Sequence, residues 1–300
     1  MSSIPQPPGS PIQASEGCPS PLEWQDIVTE FRNQAEAWYL DRPRYRLTGR
    51  MWGSGPPLYL LNGMGGTLEL YALLVWLLRD NYRCVLYDYP GTVSRGADAR
   101  QASFTDYADD LLAVARQCGD DSFDLFATSF GTLVALGTMT RGESPIRHAI
   151  LQGAFAHRSL SWAERALIRA CQFHPGRLRH VPFRGLVQKQ NHRQWFPHFD
   201  ETRWQFFSEN AGQVPVAALA ARAGIIRDVD LRSSLPQIQQ PVLLVRCEGE
   251  GLVSEECQTA LEQGLPHTHT EHMHDTGHIP YLTHPHRLAK IIREFLAPAD

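Results

Sequence analysis

The amino-acid sequence lacks long apolar stretches and paired cysteines, and both absences exclude classes of protein. The apolar run that contains Tyr71–Leu78 is far shorter than the roughly 20 residues that a membrane-spanning helix needs. Six cysteines are scattered along the chain without a CxxC pair. This spacing fits free thiols in a reducing cytosol better than a disulfide scaffold or a zinc site. We therefore expect a cytoplasmic protein without a membrane span.

The first 21 residues also lack the features of a secretory signal peptide. They have neither a basic start nor an apolar core, and a signal peptide needs both. Their content of proline, serine and glycine instead predicts a flexible leader over residues 1–21.

The chain as a whole has only a small net charge. The 300 residues include 28 Lys+Arg and 32 Asp+Glu, for a net charge of −4, which argues against a nucleic-acid-binding protein with a broadly basic surface. Residues 156–235 nevertheless contain twelve Arg or Lys and six Asp or Glu, a surplus of +6. One hypothesis is that this segment attracts an anionic substrate. We favour the alternative that its arginines are solvated or paired with nearby acids.

Short apolar runs that fit buried strands alternate with helical patterns along most of the chain. The first helical pattern covers Leu22–Leu40. The strand-like runs are Pro57–Leu61, Arg83–Tyr87, Phe123–Ala127, His148–Gln152 and Val242–Arg246, and the helical patterns among and after them are Leu68–Arg79, Phe104–Gln117, Phe130–Met139 and Pro285–Leu296. This alternation predicts an α/β fold with a mostly parallel central sheet flanked by helices.

The alternation stops between residues 156 and 235, where the chain is helical, irregular and rich in arginine. An interruption of eighty residues within an α/β sheet is most simply an inserted helical cap. We therefore predict a core formed by residues 22–155 and 236–300, with a cap at 156–235.

The segment from Asp124 to Leu136 contains the most specific motif. A strand ends in a small residue, and Thr128, Ser129, Phe130 and Gly131 then lead into an apolar helix. A small-x-Ser-x-Gly turn between a strand and a helix is a nucleophile elbow, which raises the serine hydroxyl above the sheet. The helix N-terminus behind it favours developing negative charge. A chance glycine-containing loop is the alternative, and the strand–turn–helix context disfavours it.

Three glycines follow the first predicted buried strand, in the loop Leu60–Thr67. Gly63, Gly65 and Gly66 permit a sharp turn whose N–H groups can point at a substrate oxygen. An ordinary glycine turn is the alternative. A phosphate-binding loop is excluded because no Gly-Lys-Ser/Thr follows.

Two later loops carry a histidine and two carboxylates. His278 lies in a glycine-flanked loop near the C-terminus and suits a general base, while Glu248 and Glu250 follow the predicted strand at residues 242–246. A catalytic imidazole needs a buried carboxylate that fixes its tautomer. Seven of the 13 histidines lie between His267 and His286, and we interpret this segment as a solvated edge strand rather than a metal site.

Serine, acid and histidine in this chain order, each after a strand, resemble the α/β-hydrolase family from about residue 45 to residue 296. Two further segments support the resemblance. Tyr87–Ser94 is similar to the family's Asp-x-x-Gly-x-x-Ser loop, and Leu235–Val245 is similar to the strand that re-enters the core after the cap.

The resemblance implies a role for five residues. Ser129 would be the nucleophile, His278 the base and Glu250 the acid that orients it, while the backbone N–H groups of Met64 and Phe130 would form the oxyanion hole. The chain departs from the family pattern at three points in the motifs. Ala stands at position 127 where Gly is commoner, Asn62 replaces the usual His, and the acid is Glu where Asp is usual, so Glu248 remains a rival for that role.

The function implied is that of a capped serine hydrolase, which cleaves a carboxylic ester or related acyl bond in a small molecule without a cofactor or metal. Two alternatives remain open at this stage: a hydrolase of C–C bonds, and a non-catalytic binding protein on the same fold. The second is suggested by a fainter likeness to the maspardin-like branch, through the Tyr-Pro loop and Ile279–Leu282. A histidine and a candidate acid are both present here, which favours an enzyme. The sequence indicates neither the identity of the substrate nor the oligomeric state.

Overall fold

The computed structural model describes residues 23–92, 101–198 and 200–297. The predicted leader at residues 1–21 lies outside the described residues. So do Val93 and Ser94 at the end of the loop that resembles the family's Asp-x-x-Gly-x-x-Ser segment.

The centre of the molecule is an eight-stranded sheet in the order β1-β2-β4-β3-β5-β6-β7-β8. The strands are β1 Glu36–Asp41, β2 Arg46–Trp52, β3 Pro57–Leu61, β4 Arg83–Tyr87, β5 Phe123–Thr128, β6 Ile146–Gln152, β7 Val242–Cys247 and β8 Thr268–Met273. β1 with β2 and β2 with β4 are antiparallel pairs. All other neighbouring strands are parallel, so the predicted α/β class with a mostly parallel sheet is confirmed.

Strand β3 illustrates why short apolar runs in the sequence predict central strands. Leu58 and Leu60 face one core, and Tyr59 and Leu61 face the other, because successive side chains of a strand point to opposite faces of the sheet. A strand covered on both faces is apolar at nearly every position.

Helices cover both faces of the sheet. The eleven α-helices of the described residues are α1 Trp24–Gln34, α2 Ala72–Leu78, α3 Phe104–Cys118, α4 Phe130–Met139, α5 Trp162–Cys171, α6 Arg184–His192, α7 Glu201–Gly212, α8 Val216–Asp228, α9 Glu255–Gly264, α10 Pro280–Thr283 and α11 Pro285–Leu296. Helices α1, α2 and α11 contribute to one core, and α3, α4 and α9 contribute to the other. None of the helices in the described part of the chain is long and apolar enough to cross a membrane.

The prediction of one helix over Leu22–Leu40 is wrong beyond Gln34. Ala35 has an extended backbone conformation and ends α1. Residues 36–41 then form β1, which pairs antiparallel with β2. The helical spacing of the apolar residues in α1 continues by coincidence into β1. In that strand the side chains are exposed or half-buried.

The chain between β6 and β7 contains helices α5 to α8 and no strand among its described residues. We call residues 156–235 the inserted segment. Its helix α8 contacts α4 of the core, which begins directly after Ser129. The segment therefore packs on the core near the candidate nucleophile.

Candidate active site

Ser129 lies between the end of β5 and the start of α4. Its backbone has φ 51° and ψ −118°, a conformation that costs a non-glycine residue on the order of 1–3 kcal/mol. The Ser129 N–H donates to the carbonyl of Gln152 at 3.0 Å, and the Thr132 hydroxyl donates to the Ser129 carbonyl at 2.6 Å. These two bonds hold the strained turn of a nucleophile elbow.

Two glycines allow the segments around Ser129 to approach each other. A Cβ atom at Gly131 would lie 2.7 Å from the Leu61 carbonyl oxygen and 2.8 Å from that of Asn62, so no larger residue fits there. A Cβ atom at Gly63 would lie 3.4 Å from the Ser129 Cβ. The glycine-rich loop after β3 therefore flanks the candidate nucleophile directly.

The structure brings Glu250 and His278 together. The His278 Nδ1 lies 2.8 Å from Glu250 Oε1 and 2.7 Å from Oε2. Oε1 also accepts from the N–H groups of Leu252 at 2.9 Å and Val253 at 3.1 Å. The side chain of Glu250 is 3% exposed and that of His278 is 9% exposed, so the pair is almost entirely shielded from water.

The ionised form of Glu250 is stabilised by its neighbours. Burial alone would raise the pKa of this carboxyl, but the charge and hydrogen bond of His278 and the two backbone N–H groups outweigh burial and lower the pKa. Glu250 is therefore a carboxylate at neutral pH, as a group that fixes a histidine tautomer must be.

Glu248, the rival acid, has a different environment. It is exposed, and its Oε2 accepts from the Asp275 N–H at 3.2 Å and lies 3.3 Å from the His274 Nδ1. Of the two carboxylates, only Glu250 contacts His278 in the described hydrogen bonds.

The hydroxyl of Ser129 is not hydrogen-bonded to His278 among the described contacts, in which the histidine ring bonds to Glu250 alone. Catalytic hydrogen bonds are often long in a site without substrate and tighten when substrate binds. The residues do share one location. The Ser129 N–H bonds to the carbonyl of Gln152, and the Gln152 side chain donates to the carbonyl of His278 at 3.1 Å.

Gly153 lies against the Glu250–His278 pair. It has φ 56°, and a Cβ atom there would lie 3.0 Å from both Glu250 Oε2 and the His278 Cε1. The backbone after β6 therefore forms one wall of the site, and its conformation favours glycine.

The candidate oxyanion loop is held from the inserted segment by Arg222 of α8. This side chain is completely buried and donates to the Met64 carbonyl at 2.6 Å and to the Pro90 carbonyl at 3.0 Å. The Tyr89 hydroxyl donates to the Asn62 carbonyl at 2.9 Å. The Asn62 side-chain amide itself has no hydrogen-bond partner among the described residues, so it does not brace the loop.

The inserted segment also covers the loops of the candidate acid and base. The indole of Trp195 would lie 1.8 Å from a Cβ atom at Gly249 and 2.3 Å from one at Gly277. The His192 ring centroid lies 6.3 Å from that of His278. Both contacts come from a short stretch at the end of α6.

Comparison with known proteins identifies the family of this chain. The sequence profile of the alpha/beta hydrolase fold matches residues 56–285, which is more than half of the chain and spans the elbow, the acid and the histidine. The chain belongs to the α/β-hydrolase family. With relatives named as esterases and hydrolases, it is an enzyme of the hydrolase class.

Relatives of this α/β hydrolase cleave different acyl bonds. It is 27% identical over 256 residues, 82% of this chain and 97% of the relative, to a pimeloyl-[acyl-carrier protein] methyl ester esterase of Aeromonas salmonicida. It is 22% identical to a pyrrolizixenacetamide deacetylase of Xenorhabdus hominickii, over 83% of this chain and 93% of the relative. The enol-lactonase structure from Burkholderia xenovorans LB400 has a TM-score of 0.74 at 18% identity, covering 86% of this chain and 99% of that one, and shows the shared fold.

A cavity of about 590 Å³ lies away from Ser129 in this hydrolase. It opens between β1, β2 and the inserted segment, and its lining includes Trp38, Asp88, Arg177 and Asn210. Burial raises the pKa of Asp88 to about 7, although the Leu68 N–H and Arg222 oppose the shift. Neither Ser129 nor His278 lines this cavity, so it is not the space in which the proposed chemistry occurs.

Sequence patterns did not indicate five residues of the site. These are Gln152, Gly153, His192, Trp195 and Arg222. Gln152 offered a signal, since it is a polar residue at the carboxyl end of a buried strand. The other four acquire their positions through contacts between distant segments, which no local pattern records.

The histidine-rich tail includes strand β8 at the edge of the sheet. No group of three or more His, Cys, Asp or Glu is arranged there, or elsewhere in the described ranges, to hold a metal ion. His269 and His272 are exposed on β8 at the edge of the sheet, which fits a solvated edge strand.

Proposed function

We propose that this protein is a serine hydrolase that cleaves a carboxylic ester or related acyl bond through a Ser129–His278–Glu250 triad. The observation that carries the proposal is the buried hydrogen-bonded pair of Glu250 and His278. It belongs to the same group of loops as the strained elbow of Ser129.

In the first step Ser129 attacks the carbonyl carbon of the substrate while His278 takes the proton of its hydroxyl. The resulting oxyanion lies at the N-terminus of α4, where the N–H groups of Phe130 and Met64 donate to it. His278 then gives the proton to the leaving group, which departs and leaves an acyl-enzyme. Water attacks this ester by the same route and releases the acid.

Glu250 orients His278 and stabilises the charged imidazolium that forms in each step. Its oxygens contact Nδ1, so the other ring nitrogen, Nε2, is left for Ser129. Because its own pKa is lowered, Glu250 remains ionised while His278 gains and loses a proton.

We propose that the inserted segment, residues 156–235, is a cap that closes over this site. Trp195 packs on the loops of the acid and the base, a position suited to excluding water from the reaction. The names of the relatives describe a methyl ester and an acetamide, which supports an acyl substrate here. The five described cysteines are all free thiols, which supports a cytoplasmic location.

Labelling by a fluorophosphonate probe tests the proposal. We expect covalent labelling of the folded wild type at neutral pH and none of Ser129→Ala. Ser159→Ala, at an exposed serine of the inserted segment, is the control and should label like the wild type. An unlabelled wild type, or equal labelling of Ser129→Ala, would overturn the proposed nucleophile.

A further inference from the structure

His192 is a buried histidine that the proposed chemistry does not use. It is the last residue of α6 and is 8% exposed. Its ring packs edge-on against Phe207 at 5.3 Å between centroids. On the other side it faces His278 at 6.3 Å, with 34° between the ring planes. The inserted segment therefore presents an imidazole to the catalytic histidine.

The position of His192 is fixed by its neighbour Trp195. Trp195 is seated on Gly249 and Gly277, which both have positive φ and belong to the loops of Glu250 and His278. Because side chains at these two glycines would occupy the space of the indole, the contact requires the glycines. The stretch from His192 to Trp195 therefore packs directly on the loops of Glu250 and His278.

A polar atom of His192 is left without a partner. The Nδ1 is buried and has no hydrogen bond among the described residues. Buried polar atoms are nearly always hydrogen-bonded, so each exception calls for an explanation. A substrate bound at the proposed triad would lie close to His278 and could supply the missing partner.

We propose that His192 is a substrate-binding residue, whose imidazole donates a hydrogen bond to an uncharged acceptor oxygen next to the acyl group bound to Ser129. This inference rests on the proposed function. It assigns the inserted segment a direct contact with substrate in addition to its covering role.

The charge state of His192 selects the kind of oxygen. Burial, together with the neighbouring His278, lowers the pKa of His192 to about 4, and Glu250 opposes this only in part. At neutral pH the ring is therefore uncharged, with one N–H donor and one acceptor. Such a group suits an ether, hydroxyl, ester or amide oxygen. It offers no positive charge to a carboxylate or phosphate.

Two pairs of esters test this assignment. p-Nitrophenyl methoxyacetate and butyrate differ by one ether oxygen in chains of equal length, as do the 3-methoxypropanoate and pentanoate, which place the oxygen one atom deeper. The measured quantity is the ratio of kcat/KM within each pair. Taking the ratio cancels any general loss of activity.

We expect His192→Phe and His192→Leu to lower the ratio roughly fivefold for at least one pair, since one neutral hydrogen bond is lost. His192→Gln, which keeps a donor, should retain most of the wild-type ratio. His180→Phe, at an exposed histidine of the same segment, is the matched control and should leave both ratios unchanged. Using two donor-free variants covers the failure of one to fold.

Unchanged ratios in both donor-free variants would overturn the assignment, as would equal losses in His192→Gln. Fluorophosphonate labelling of the same preparations separates the two proposals. Labelled variants with unchanged ratios reject only the role of His192, whereas an unlabelled wild type rejects the proposed function itself.

Discussion

Gly153 offers a sharp test of whether the Glu250–His278 pair performs the chemistry. Substitution by alanine adds one methyl group 3.0 Å from both Glu250 Oε2 and the His278 Cε1, closer than ordinary van der Waals contact. The added atom must displace the pair or the backbone by a few tenths of an ångström.

The substitution also strains the backbone, and Gly142 separates that effect. Gly153 has φ 56° and Gly142 has φ 63°, so alanine is strained similarly at both, by about 1–2 kcal/mol. A Cβ atom at Gly142 meets nothing within 4 Å. The difference between the two variants therefore reports the contact with the pair alone.

We expect Gly142→Ala to lose about 1–2 kcal/mol of unfolding free energy in urea, and Gly153→Ala to lose more because of the close contact. In steady-state assays with p-nitrophenyl butyrate, Gly142→Ala should keep its kcat. Gly153→Ala should lose about tenfold or more, since misplacement of catalytic groups by 1 Å costs about 100-fold. Equal kcat values for the two folded variants would refute the assignment of the pair.

Three further predictions concern single side chains. Glu250→Gln should lower kcat by about 10²–10⁴-fold, while Glu248→Gln changes it little; steady-state rates decide. Arg222→Met should lose at least about 2 kcal/mol of unfolding free energy in urea, because its buried carbonyl partners lose a charged donor. It should also lower kcat more than it changes KM. Arg227→Met, on the surface of α8, is the control and should change neither the stability nor kcat. Burial raises the pKa of Asp88 from 3.8 to about 7, so the unfolded state loses this proton first and wild-type stability falls as pH rises through that interval. Above both pKa values the loss of unfolding free energy is on the order of 4 kcal/mol, and Asp88→Asn should remove it. The gain in Tm of this variant should therefore be large at pH 8 and small at pH 5, and an equal gain at both would contradict the reasoning.

The core strands and the elbow could be predicted because their constraints are local. Central parallel strands are apolar on both faces, so β3, β4, β5 and β7 are visible as short runs. The elbow requires a serine between small residues because Gly131 touches the carbonyls at the end of β3. That contact joins segments distant in the chain, but the glycine that it requires stands at a fixed spacing from the serine and is therefore visible in the sequence.

The contacts between the inserted segment and the loops of the site could not be predicted, because they join residues far apart in the chain. Arg222 bonds to Met64, 158 positions away, and Trp195 meets Gly249 and Gly277. Each of these residues has an ordinary local setting. Strand β1 was missed for another reason: Ala37–Leu40 is a run of apolar residues that does not alternate with polar ones, so it could not be distinguished from the end of the preceding helix.

The structure divides the twelve cations of the inserted segment, which has a surplus of +6, into three groups. Five arginines pair with acids of the same segment, namely Arg158, Arg193, Arg203, Arg227 and Arg232. Arg222 is buried and donates to backbone carbonyls of the core. The other cations lie between residues 165 and 189 at exposed or half-exposed positions, where salt screens them.

These exposed charges can therefore affect the approach of an anionic molecule, but the group that faces the bound acyl chain is the uncharged His192. Attraction of an anion and recognition of an oxygen next to the acyl group are thus separable: raising the salt concentration should weaken the first and leave the ester-pair ratios that report His192 unchanged.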